Sequence, residues 1–155
     1  MSNTTQIAKH IKEVFFGGNW TWVNLETTLK EVSWQQATTK VYQLNTIAQL
    51  TFHIDYYTRA IISVLQGEKL VAHDKYSFDC PEISNETDWE LLKTNAFKNA
   101  TTLIGLVENN ADEVLNTIFV EEKYGNYWRN FHGFLEHTHY HLGQIVVIKK
   151  ILQSH

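Results

Sequence analysis

The chain has 155 residues, 43% of them hydrophobic and 19% charged, enough for one domain with one core and unlike a disordered segment. Its formal net charge is -4, and no run of Lys or Arg is present. A basic stripe to neutralise phosphates is therefore missing, which excludes nucleic acid as an expected partner. No stretch is apolar enough to span a bilayer, and the opening Met-Ser-Asn-Thr-Thr-Gln lacks an apolar signal segment. No membrane partner is expected, and an intracellular, cytoplasmic location is.

One proline and seven glycines leave room for long uninterrupted helices. Ile7, Ile11, Val14 and Phe15 give residues 4–16 a helical period, which Gly17-Gly18 ends. Thr21 or Asn24 can cap a short helix bearing Leu25, Leu29 and Val32. Ser33 reads as the N-cap of a long helix from Trp34 to about Gln66, whose apolar residues recur at threes and fours. Residues 67–85, with the single Pro81 and the single Cys80, read as a crossover loop.

A third long helix is expected from residues 85–88, where Glu86, Asp88 and Glu90 suit a helix N-terminus, to Asn109-Asn110. A short helix over 111–118 and a linker follow. The last helix is expected over Tyr127–Gln153. Four long helices with a crossover loop predict an all-α four-helix bundle over residues 1–155.

Eight histidines are the unusual count, and five lie in the last quarter: His132, His137, His139, His141 and His155. His137 and His141 are four residues apart, one turn up the same helix face, so both imidazoles can reach one metal ion. Gln144 lies three residues further on that face and can hydrogen-bond a ligand, a water or a substrate. His139 projects to the other side, and His132 sits about 140° round the helix from His137. A third ligand must come from another helix, and His53, flanked by Phe52 and Ile54, is the best candidate.

Three histidines leave positions open on a divalent ion, as a catalytic site does; a fourth ligand from His132 or His10 would make a structural site instead. Glu136-x-x-His139 has no second copy, which argues against a di-iron centre. There is no Gly-x-Ser-x-Gly elbow and no phosphate-binding Gly loop. Tyr57 shares the face of His53 and either lines the pocket or packs between helices; Asp55 faces away. Trp20 and Trp22 either rim the opening or anchor the core. Cys80 reads as a loop or partly buried thiol beside Pro81.

The last-helix segment His137-Thr-His-Tyr-His141-Leu-Gly143-Gln144-Ile145 resembles the final-helix pattern His-x-x-x-His-x-Gly-Gln-aliphatic of the DinB-like/YfiT-like superfamily. That family usually has Arg where this chain has Leu142. His53 in Leu-Thr-Phe-His-Ile-Asp-Tyr-Tyr corresponds to the family's second-helix histidine, and Gly-Gly-Asn-Trp falls where the family has its first loop. The resemblance covers essentially the whole chain.

It implies an up-down-down-up bundle, often a homodimer, with one zinc or nickel ion on His53, His137 and His141. It also implies a metal-dependent S-transferase or hydrolase that activates a low-molecular-weight thiol or a water against a small-molecule substrate. A bundle that binds a metal or a small ligand without catalysis remains the alternative.

Overall fold

The computed structural model describes residues 1–154; His155 lies outside the described residues. Among them the chain is helical, and its only β-pairing is an isolated bridge between Ile118 and Asn126. Helix α1 spans Asn3–Phe16, α2 Leu25–Lys30, α3 Trp34–Thr38, α4 Ile47–Leu65, α5 Glu86–Glu108 and α6 Tyr127–Gln153. The four long ones, α1, α4, α5 and α6, share one buried cluster: α1 and α4 each pack against both α5 and α6. None is long and apolar enough to cross a membrane.

Local chemistry explains the boundaries. Ser2, Asn24, Asn85 and Asn126 each accept a hydrogen bond from a backbone N–H in the first turn of α1, α2, α5 and α6. Helix α1 stops at Gly17, whose φ of +110° is costly for any residue with a Cβ. A second support for α1 comes from far along the chain. The Asp112 carboxylate accepts from the N–H groups of Asn3 and Thr4, both at 2.9 Å.

Those backbone bonds, Thr4 first, hold the Asp112 carboxyl below the usual carboxylate range. A depressed folded-state value means the stabilisation is present above the ordinary carboxylate pKa and is lost as pH falls through the depressed one. The urea midpoint of Asp112→Asn is therefore expected below wild type at neutral pH. The gap should narrow on acidification; a gap independent of pH would count against the cap.

The expected long helix over 34–66 is two helices. Ser33 with Gln36 closes one capping box, and Thr46 with Gln49 closes another, so the sequence carries a second helix start. Between them, Thr38 and Thr39 turn their hydroxyls onto the carbonyls of Trp34 and Gln35. Such side-chain bonds compete with continuation of the helix. Tyr42 then takes a left-handed φ of +51°. The expected helix over 111–118 is a 3₁₀ turn over Asp112–Asn116.

Trp89 is fully buried, and its Nε1–H donates to the Val32 carbonyl at 2.7 Å, pinning α5 to the α2–α3 connection. Trp20 and Trp22 are 97% and 88% exposed, so they are not core anchors. Their turn is built on Asn19, whose side chain donates to the carbonyls of Glu13 and Val23 and accepts from Thr21. Val146 and Ile151 pack on the core, whereas Val147 is exposed.

Candidate metal centre

Helix α4 is apolar on the side that meets α5 and α6, and His53 sits on that side among Leu50, Ile54 and Tyr57. Helix α6 brings His137 and His141 to it from one face, one turn apart. His53 is 4% exposed and His141 7%, with His137 half-buried. One ring nitrogen from each of the three lies within 4.8 Å of the others, and no other His, Cys, Asp or Glu among the described residues joins the group. Ligand nitrogens around a tetrahedral zinc stand about 3.3 Å apart for bond lengths of about 2.0–2.1 Å. The observed group is compatible with that spacing after small side-chain adjustments.

The hydrogen bonds set the tautomers. His53 Nδ1 lies 3.3 Å from the Ser77 carbonyl, which can only accept, so Nδ1 carries the proton and Nε2 keeps a lone pair. His141 Nδ1 stands 2.7 Å from Gln144 Oε1, with the same consequence. Gln144 thus turns toward a histidine of the cluster. His137 Nε2 lies 2.9 Å from His53 Nε2. Because His53 Nε2 keeps its lone pair, His137 Nε2 carries the proton and donates across that contact, while its Nδ1 is buried without a hydrogen-bond partner among the described residues. A fixed Nδ1–H with a free Nε2 is the usual preparation of a metal-binding imidazole.

Burial disfavours the imidazolium form of all three rings. For His53 desolvation comes first, then the charge of His141; the Ser77 carbonyl and Asp74 oppose them. His137 is pushed down to about 4 by burial, then by His141 and His53. His141 is lowered by burial and partly restored by Gln144. The trio is therefore neutral at physiological pH, the state in which imidazole ligates. Three neutral nitrogen donors, two with the tautomer already selected, fit a divalent transition metal such as zinc or nickel.

The crossover loop completes the centre. Phe78 stacks on His53 with ring centroids 3.8 Å apart and planes 5° apart. Tyr57 lies edge-on to His53 and 5.0 Å from His137, and its hydroxyl donates to Asp74 at 2.9 Å. Desolvation and Asp74 raise the phenol to about 12. Ser77 and Phe78 carry no mark in the sequence beyond the length of their loop. Asp55 faces away, as its spacing predicts, and binds Arg59 and Asn99.

Among the other histidines, His139 and His132 stand outside the cluster, and His10 is exposed. Trp20 and Trp22 line none of the cleft that reaches His137. Cys80 is unpaired, and burial pushes its thiol up to about 11. Its alkylation by iodoacetamide at neutral pH is expected to be slow in the native protein and fast in urea, as read by intact mass; equal rates would mean an accessible, activated thiol. A scan against family models, a search of curated proteins and a search of solved structures each return no match to the chain.

Proposed function

We propose that the chain is a DinB/YfiT-like four-helix bundle, built from α1, α4, α5 and α6, that acts as a metal-dependent S-transferase or hydrolase. His53, His137 and His141 would hold one zinc or nickel ion. The observation that carries this reading is the pair of Nδ1 locks, Ser77 on His53 and Gln144 on His141, which aim two lone pairs at the space His137 also faces. A bound divalent cation supplies Lewis acidity, lowering the pKa of a thiol or a water enough for nucleophilic attack.

The chain's own residues supply orientation and shelter. Phe78 covers one face of His53 and keeps bulk water from it. Tyr57, held by Asp74, stands at the cleft wall beside His137, placed to orient a substrate oxygen. A cleft of about 820 Å³ reaches His137, and among the described residues no fourth protein ligand closes the group. Access together with an incomplete ligand set favours an enzyme over a structural site.

The deciding experiment is elemental analysis of protein purified without a histidine tag, followed by assays on the loaded protein. Conjugation of glutathione, bacillithiol or mycothiol to an aryl chloride tests the transferase, and release of nitrophenol from its acetate tests the hydrolase. About one ion per chain with either activity is the expected result. A folded protein that takes up neither zinc nor nickel would leave a helical small-ligand-binding protein as the account.

A further inference from the structure

The cleft that reaches His137 is chemically polarised. At one end stand Asp74 and Glu136, beside the histidines; at the other stand Lys123 and Arg129. Lys123 is paired with Glu121 at 3.1 Å, whereas Arg129 has no ion-pair partner among the described residues. Arg129 also sits in the first turn of the 27-residue α6, where the helix dipole favours an anion and the chain places none. An unpaired cation there works against helix stability, and local conflicts of this kind concentrate at binding sites.

The turn before α6 leaves room for the arginine stem. Gly125 has a φ of +76°, and a Cβ there would come within 2.8 Å of Arg129 Cδ, so the glycine leaves room for the stem. The segment before α6 is fixed by Phe119 N–H donating to Gly125 O at 2.9 Å and Tyr127 N–H donating to Thr117 O at 3.1 Å. The wall also includes Trp128, one residue before Arg129, whose ring packs on His132 with centroids 4.7 Å apart. His132 Nε2 is buried and has no hydrogen-bond partner among the described residues. Arg129 and His137 are eight residues apart on α6, about 12 Å along its axis.

We propose that this cleft binds a small carboxylate with a flat apolar body, its carboxylate on Arg129, its body against Trp128 and its far end toward His137. The guanidinium fork matches a carboxylate, and the indole offers the face a flat body needs. The proposal names the substrate class of the site under Proposed function and rests on that reading for its catalytic meaning; binding itself requires only the cleft.

The probe is 2-naphthoate, compared with its uncharged isostere 2-naphthamide, by calorimetric titration of tag-free protein both zinc-loaded and chelator-treated. Wild type is expected to prefer the carboxylate by about tenfold, the scale of one charge-assisted contact. Arg129→Gln should abolish the preference while still binding the amide, and Lys98→Gln, which removes the same charge from a remote exposed site, should keep it. Equal affinity for the two probes in wild type overturns the proposal. So does a preference that survives Arg129→Gln, or no binding of either probe at millimolar concentration. A preference that persists in protein unable to take up zinc would support the cleft and refute only the metal reading.

Discussion

Replacing His53 or His137 with alanine is expected to lower zinc or nickel affinity by more than about 100-fold, because loss of a supporting partner alone costs about 10–100-fold. Gln144→Ala should fall in that smaller range, since it removes only the acceptor for His141 Nδ1. The readout is competition with a chromogenic chelator, supported by thermal unfolding with and without metal. Zinc at about 100 times its dissociation constant adds about 2.7 kcal/mol to the folded state. For a chain of this size that is a Tm rise of about 5–10 °C. The rise should vanish in both histidine variants. A histidine variant that binds and is stabilised like wild type would refute the centre, and a Gln144→Ala protein indistinguishable from wild type would refute the tautomer lock alone.

The second large effect concerns the junction under α5. Trp89→Ala is expected to cost about 3–5 kcal/mol, the range for deleting a fully buried large aromatic. Trp89→Phe keeps most of the volume but strands the buried Val32 carbonyl, which costs about 1–3 kcal/mol. Urea unfolding followed by far-ultraviolet circular dichroism separates the two. If both variants lose the same stability, the hydrogen bond rather than the packing dominates. If Trp89→Phe loses nothing, the Val32 bond is dispensable.

Much of the helical layout was legible because it is written in local spacing. Helix α6 runs over Tyr127–Gln153 as the sequence predicts, and His137, His141 and Gln144 share a face by arithmetic alone. His53 was reachable by elimination, as a polar ring set deep in an apolar helix. The split at residues 39–46 is masked in the sequence because apolar residues continue at helical intervals through Val41 and Leu44. The mark that breaks it is the second capping box of Thr46 and Gln49, inside the expected helix. Ser77 and Phe78 were not legible, because what they do depends on a loop folding back onto α4. The opposite fault befell Trp20 and Trp22: large aromatics suggest a core, yet Asn19 ties their turn so that both indoles point outward.

That turn determines what an optical experiment on this protein can see. Trp20 and Trp22 are already surrounded by water in the native state, so their emission changes little when the chain unfolds. Trp128 is also exposed, which leaves half-buried Trp34 and buried Trp89 to carry most of any spectral shift. The signal of an intrinsic-fluorescence melting curve of the wild-type chain therefore comes mainly from α3 and the start of α5, and no tryptophan belongs to the histidine cluster. Substituting phenylalanine for the two outward indoles would strip away a constant red background and sharpen that report.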